Sequence, residues 1–351
     1  MIIIINDKIY DAAENETVLD VALRNNIYIP HLCYHFKTGK AGKCRACVVE
    51  VEGQNGLKTS CNLPVTKDMK ITTESPAVID AQKVIVDLIL SSGKHDCLAC
   101  EQNGECELQD AAYYLGIERP GYDLEITDYK NDDSSEFIFV DRSKCILCGR
   151  CVAGCNNTVV NEVIALANRG YESKIVFDSD LALGSSTCVQ CGECVQLCPV
   201  GALIDKRAMG KGQNWKLDKM ETVCPYCGVG CRVNIHIARL KNKVVRISGV
   251  EDSPTNQGML CVKGRYGFDY IQSEERLTTP LIKENNKFRE ASWEEAIKLI
   301  ASKFIKIKDI NGSNALAGLA SAKVTNEENF VFQKFMRREV GTNNVDHCAR
   351  L

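Results

Sequence analysis

Two four-cysteine runs with the same internal spacing place the strongest constraint on this chain. Cys145, Cys148, Cys151 and Cys155 follow C-x2-C-x2-C-x3-C, and Cys188, Cys191, Cys194 and Cys198 repeat it, with Pro199 directly after. Closely spaced thiolates on a turning backbone reach three corners of one cubane iron–sulfur cluster, and the fourth cysteine of each run serves the other cluster. The expected ligand sets are therefore crossed. Cys145, Cys148 and Cys151 go with Cys198, and Cys188, Cys191 and Cys194 go with Cys155. Asn156 stands where the pattern usually has proline. Zinc competes as the metal because C-x2-C pairs also build tetrahedral sites, but two complete runs favour [4Fe–4S] clusters.

The chain has 20 cysteines in 351 residues. A secreted disulfide scaffold is the other way to use so many, but such scaffolds are usually small. The start, Met1-Ile2-Ile3-Ile4-Ile5, has no basic stretch and runs at once into Asn6-Asp7-Lys8, so no export signal is expected and the cytoplasm is the expected location. No apolar run approaches the roughly 20 residues of a membrane helix. With a net charge of −3 there is no basic excess to suggest nucleic acid.

Local signals outline the rest. Ile2–Ile5 and Lys8–Tyr10 flank Asn6-Asp7 as a hairpin, and Thr17-Val-Leu-Asp20 reads as a capping box for a helix ending near Asn25-Asn26. A strand is expected at Cys47–Glu52. Pro76 opens a helix with Val84, Ile85, Leu88 and Ile89 at helical spacing. Asn131–Ser135 reads as a polar linker. Ser292 and Thr325 each cap a helix, with a strand at Ala315–Ala320 between them and a stop at Gly341, the opening of an α/β domain.

Three further cysteine groups carry resemblances. Cys33, Cys44, Cys47 and Cys61 are spaced more widely than the plant-type pattern. They resemble the [2Fe–2S] domain of the complex I large subunit and of iron-only hydrogenases, which implies a β-grasp ferredoxin fold. His31 and His35 flank Cys33 and are not needed as ligands, since cysteine fills all four positions. Cys97, Cys100 and Cys106 leave a [4Fe–4S] cluster one ligand short. In the same families a histidine completes the site four positions before the first cysteine, which here is Gly93. His95 is the candidate instead, because imidazole binds iron and no spare cysteine is nearby. Cys224-Pro-Tyr-Cys227-Gly-Val-Gly-Cys231, with Cys261 in Asn256-Gln-Gly-Met-Leu-Cys-Val-Lys-Gly-Arg265, resembles the [4Fe–4S] head of molybdopterin oxidoreductases, and formate dehydrogenases in particular. The resemblance implies that Lys263 lies between cluster and pterin as an electron relay; an exposed lysine in a turn is the simpler reading. These groups use nineteen of the twenty cysteines. Cys348 remains and is expected to be a buried small residue, and His236 is expected to be structural.

Asn343–Leu351 resembles the segment just before the metal-ligating selenocysteine or cysteine of formate dehydrogenases, so a selenocysteine is expected to follow Leu351. The expected fold is α+β and multidomain. A β-grasp [2Fe–2S] domain spans 1–78, a cluster segment of three cysteines and one histidine 79–120, and a two-cluster ferredoxin domain 136–210. A molybdopterin-oxidoreductase head spans 217–272, and the incomplete start of an α/β domain 273–351. One [2Fe–2S] and four [4Fe–4S] clusters are implied, with bis-molybdopterin guanine dinucleotide and Mo or W in the full-length protein. The full-length activity implied is reversible oxidation of formate to CO2; these 351 residues are not expected to perform it alone. No G-x-G-x-x-G fingerprint follows a strand, so NAD(P) would need a partner flavin subunit, with ferredoxin or a hydrogenase as other acceptors. A complex I-like subunit, a hydrogenase and a stand-alone multi-cluster carrier are the competing readings.

Overall fold

The computed structural model describes residues 1–123 and 129–348. The chain forms two units, one of Met1–Asp218 with His236–Arg246 and one of Lys219–Ile235 with Ile247–Leu351.

The first unit opens with β1 (Ile2–Ile5) and β2 (Lys8–Asp11), joined through Asn6 and Asp7 at φ 48° and 62°. Those left-handed values make the tight turn that matches strand twist, and asparagine and aspartate tolerate them better than other side chains. The capping box forms as expected. The Thr17 side chain accepts from the Asp20 amide and the Asp20 carboxylate accepts from the Thr17 amide, starting α1 (Val18–Arg24). β3 (Val48–Val51), β4 (Lys58–Thr59) and β5 (Lys70–Thr72) complete a sheet of order β2-β1-β5-β3-β4. β1 runs parallel to β5, and the other pairs are antiparallel. Val18, Leu19, Val21 and Ala22 of α1 share one core with Ile3, Ile5, Val49, Val51 and Ile71, and Cys47 and Cys61 are part of it. This is the β-grasp arrangement.

Ser75 caps α2 (Pro76–Ser91), with proline at its first position where a missing amide costs nothing. Of the four residues the sequence marked, Ile85 and Ile89 are half-buried against the core. Val78, Gln82, Val86 and Leu90 are buried, whereas Val84 and Leu88 are exposed. Gln82 sits in this apolar stripe because its amide donates to the Val48 carbonyl at 3.0 Å. Leu90→Ala is therefore expected to cost about 2–5 kcal/mol, and Leu88→Ala about 0.5 kcal/mol or less, in chemical denaturation. Equal losses would contradict this face. α3 (Glu107–Tyr114) packs on α2, sharing Leu108, Ala111 and Ala112 with Val86 and Leu90.

Residues 131–135, expected to be a linker, are pinned. Asp132 exchanges backbone hydrogen bonds with Val140 at 2.9 and 3.0 Å and its carboxylate accepts from the Leu183 amide; Ser135 donates to Gln190. Polarity there satisfies buried backbone groups. β6 (Ile138–Val140) leads into α4 (Arg150–Ala153), then the hairpin β7 (Ile164–Ala167) and β8 (Lys174–Phe177), α5 (Glu193–Leu197) and β9 (Leu203–Asp205), which returns antiparallel to β6. β10 (Leu217–Val223), β11 (Arg232–Ala238) and β12 (Lys243–Gly249) form a three-stranded sheet, with His236 buried in β11.

In the second unit α6 (Val262–Tyr266) is followed by the hairpin β13 (Leu281–Glu284) and β14 (Lys287–Glu290). Ser292 then caps α7 (Trp293–Asn311). β15 (Gly318–Ala320), α8 (Asn326–Phe335) and β16 (Val345–His347) make a parallel strand–helix–strand unit, with Gly318 opposite Val345. α8 runs on through a π-turn to Gly341 at φ 84°. Leu316 and Phe332 pack with Met336 and Val340, and Leu319 is exposed.

Candidate metal centres

Cys33, Cys47 and Cys61 are buried and Cys44 is half-buried. Cys44 donates its amide to the Cys33 sulfur at 3.4 Å, and Arg45 between Cys44 and Cys47 has φ 63°. Hydrogen bonding between the thiols of Cys33 and Cys44 brings Cys33 down to about 5 and raises Cys44. The same pairing brings Cys47 down to about 7 and raises Cys61. Each of these sulfurs registers at least one other of the set, so the structure gathers all four. His31 donates from Nδ1 to the Ile29 carbonyl, and the His35 ring stacks on Phe36 with its Nδ1 accepting from Lys37.

The second centre combines a 3-10 turn at Cys97–Ala99 with Cys106, the residue before α3. One cavity is lined by His95, Cys97, Cys100, Cys106, Gln109 and Lys144, among others. His95 is held there by a hydrogen bond to the Ile89 backbone, while its Nε2 is buried without a hydrogen-bond partner. Burial, then Lys144, lowers its pKa, so the ring is neutral with a free lone pair. A backbone bond on one ring nitrogen is how metal-ligating histidines are commonly oriented. The shifted register has a geometric reason. A Cβ added at Gly93 would lie 2.7 Å from His95 Nε2, so the imidazole fills the space in front of the position that the resemblance pointed to.

The two long runs share a backbone. Leu147 and Gln190 have φ 53° and 51°, and Gly149 and Gly192 follow in the left-handed region at 83° and 74°. Such turns aim successive amides inward and make an anion-holding concavity. Gln190 donates its amide to the Cys188 sulfur at 3.3 Å, and Leu147 does the same for Cys145. The charges that raise Cys148 and Cys151, after burial, include Cys198; those that raise Cys188 and Cys194, after burial, include Cys155. Cys198 also acts on Cys194, and Cys194 on Cys151, so the two groups of sulfurs lie near each other. The runs differ where their sequences differ. Pro199 ends α5, since it has no amide to donate, whereas Asn156 lets α4 continue into a π-turn, Gly154–Thr158, that carries Cys155. Nothing in the sequence announced that turn.

In the second unit the Cys224 amide donates to the Cys231 carbonyl at 2.8 Å, and burial, then the neighbouring charges of Cys227 and Cys261 among others, raise Cys224 and Cys231. Asn256 folds the intervening loop, accepting from the Arg232 amide at 3.0 Å and donating to the Met259 carbonyl at 2.8 Å. Gly249 is required there, because a Cβ would meet the Gly258 backbone. Cys261 caps α6, and a Cβ at Gly264 would lie 3.5 Å from the Cys224 sulfur. Lys263 is exposed on that helix rather than in a turn. Cys348, expected to be buried, is exposed just past β16 with its sulfur 3.5 Å from Ser321 Oγ, because it lies beyond the end of a two-stranded sheet that leaves it open among the described residues. Residues 349–351 of the Asn343–Leu351 segment lie outside the described residues.

Among the described residues, no three His, Cys, Asp or Glu side chains are placed to chelate one metal ion. No helix among those residues is long and apolar enough to cross a membrane.

The sequence signature of a 2Fe-2S iron-sulfur cluster binding domain matches residues 2–76, and that of the NADH-ubiquinone oxidoreductase-G iron-sulfur binding region matches 82–120. A 4Fe-4S dicluster domain matches 144–202, a molybdopterin oxidoreductase Fe4S4 domain 217–273, and a molybdopterin oxidoreductase domain 276–351. The matches thus run from iron–sulfur domains into the start of a molybdopterin oxidoreductase domain. "Probable oxidoreductase YjgC" of Bacillus subtilis (strain 168) is 34% identical to this chain, covering 99% of it and 39% of the relative. A Staphylococcus aureus (strain USA300) protein named "Putative formate dehydrogenase SAUSA300_2258" is 30% identical over 100% of the chain and 39% of the relative. The chain thus spans about two-fifths of these curated relatives. A chain in the crystal structure of an NAD+-reducing [NiFe]-hydrogenase in the H2-reduced state superposes with a TM-score of 0.57 at 29% identity, covering 61% of this chain and 90% of that one.

Proposed function

We propose that this chain is the electron-conducting front of a formate dehydrogenase catalytic subunit, with one [2Fe–2S] and four [4Fe–4S] clusters. The observation that carries the reading is the gathering of Cys224, Cys227, Cys231 and Cys261 in a unit that matches molybdopterin oxidoreductases, on a chain similar throughout to a protein named for formate. Iron–sulfur clusters supply one-electron storage, and the protein sets their potentials through ligand type, hydrogen bonds and burial. Cys33, Cys44, Cys47 and Cys61 would hold the [2Fe–2S] cluster, and His95 with Cys97, Cys100 and Cys106 the first [4Fe–4S]. The crossed sets Cys145, Cys148, Cys151, Cys198 and Cys188, Cys191, Cys194, Cys155 would hold two more. The last belongs to Cys224, Cys227, Cys231 and Cys261, with Lys263 beside it as the relay toward a bis-molybdopterin guanine dinucleotide carrying Mo or W. Burial of Cys148, Cys151, Cys155 and Cys194 keeps water from those sulfurs, and the inward amides of their turns hold negative charge.

The purified full-length native protein should reduce a viologen dye with formate; failure with metal-loaded enzyme would refute the formate assignment. The selenocysteine assignment belongs to this reading, and a native peptide containing Leu351 followed by selenocysteine supports it; cysteine at that position contradicts it. His95→Ala is expected to leave a three-cysteine site that sheds one iron on mild oxidation, seen as a [3Fe–4S] electron paramagnetic resonance signal. Absence of that signal would remove His95 from the ligand set.

A second reading is favoured by the likeness to the NAD+-reducing hydrogenase chain, namely an electron-transfer subunit paired with a hydrogenase or with a flavin subunit handling NAD(P). It predicts cluster reduction by H2 in the native complex and none by formate.

A further inference from the structure

Arg150 opens α4 between Cys148 and Cys151 and is only 2% exposed. Its two terminal nitrogens donate to both oxygens of Glu107, at 2.5 and 2.6 Å, and Glu107 directly follows Cys106. The Lys43 ammonium, from the loop between Cys33 and Cys44, comes to within 2.8 Å of where a Cβ on Gly149 would sit. The loop before Cys44 thus lies against Gly149, next to Arg150, while the segment after Cys106 holds the guanidinium through Glu107. We infer that Arg150 is a shared positioning residue that biases both the Cys33–Cys61 centre and the Cys145–Cys198 centre toward reduction, with Glu107 fixing it in place and offsetting part of its charge.

The physical basis is charge in a poorly solvated place. An added electron next to a buried cation is stabilised more than it would be in water, because little solvent screens the pair. Cys44, Cys106, Cys145 and Cys198 pack against one apolar core that includes Leu32, Ala46 and Val200, so the sulfurs of these groups share a poorly solvated neighbourhood. Arginine suits the role because it stays charged when buried and its fork fits one carboxylate with two parallel bonds. Glu107, about 39% exposed, keeps contact with water, so the pair is not neutralised symmetrically.

This inference rests on the cluster assignments proposed above, and its test separates the two. Midpoint potentials would be measured by redox titration of the cluster-loaded full-length protein, with resonance signals separating [2Fe–2S] from [4Fe–4S] centres. Arg150→Met should lower the reduced-to-oxidised ratio of both centres at least tenfold at a fixed ambient potential, about 59 mV for a one-electron couple. The Cys188–Cys194 centre should move less. Arg150→Lys should recover most of the shift, and Glu107→Gln should move both midpoints the opposite way. A merely structural arginine would not produce shifts of opposite sign. Unchanged midpoints in loaded Arg150→Met, or shifts of the same sign in Arg150→Met and Glu107→Gln, would overturn the inference. If Arg150→Met does not load, Glu107→Gln decides alone, and no upward shift there overturns it. A wild-type protein without the two clusters would instead overturn the assignments themselves.

Discussion

Cys198→Ala is expected to abolish the cluster whose other ligands are Cys145, Cys148 and Cys151, leaving the cluster of its own run in place. The electrostatic neighbours of Cys148 and Cys151 include Cys198, and those of Cys188 include Cys155. Cys198→Ala and Cys148→Ala should then lose the same [4Fe–4S] resonance, and Cys155→Ala and Cys191→Ala should both lose the other. Iron content should fall in every case by at least the one iron whose ligand is gone, since a cubane held by three thiolates with no fourth donor loses that corner first. If Cys198→Ala instead matched Cys191→Ala, the runs would each hold their own cluster and the crossing would be wrong. Burial strengthens the expectation. Cys151 and Cys194 are fully enclosed and pushed well above the ordinary thiol range, so the empty sites keep their protons and loading must release them.

Lys37→Met should destabilise the first unit by about 3–5 kcal/mol, read as a lower denaturation midpoint of the loaded protein. Lys37 Nζ lies 2.9 Å from Glu193 Oε1, and the two side chains are 3% and 2% exposed. Lys37 belongs to the loop between Cys33 and Cys44, and Glu193 to α5 between Cys191 and Cys194, so this pair ties the β-grasp domain to the second ferredoxin run. Removing the lysine leaves a carboxylate in a poorly solvated site, which costs more than the pair contributes. Lys37→Met combined with Glu193→Leu should therefore recover most of the loss. A double variant as unstable as the single one would show that the lysine acts through packing rather than charge.

Much of the fold could be read from local rules. The Asn6-Asp7 turn, the Thr17, Ser292 and Thr325 caps and the Gly341 stop depend on a few adjacent residues, and each formed as expected. The buried face of α2 followed only in part, because an apolar pattern is ambiguous when both sides of a helix carry Val, Ile and Leu, and here tertiary partners chose Val86 and Leu90. Residues 131–135 looked like a linker because burial of a polar backbone cannot be seen without its partners at Val140 and Leu183. At the candidate centres, spacing was enough to group the cysteines because cluster ligation is a local demand. Arg150, Glu107, Lys37 and Glu193 escaped notice for the opposite reason. Each is an ordinary charged residue between ligands, and only the fold brings its partner close, 43 residues away for Arg150 and 156 for Lys37.

The parallel pairing of β1 with β5 has a consequence for how the protein is made. Ile4 meets Lys70 in the middle of the sheet, and Cys33, Cys44, Cys47 and Cys61 all lie between those two partners in sequence. A ribosome must therefore deliver every one of these thiols before the strand that locks the domain has emerged. Until that strand arrives, the four thiols sit on a polypeptide whose sheet is still open.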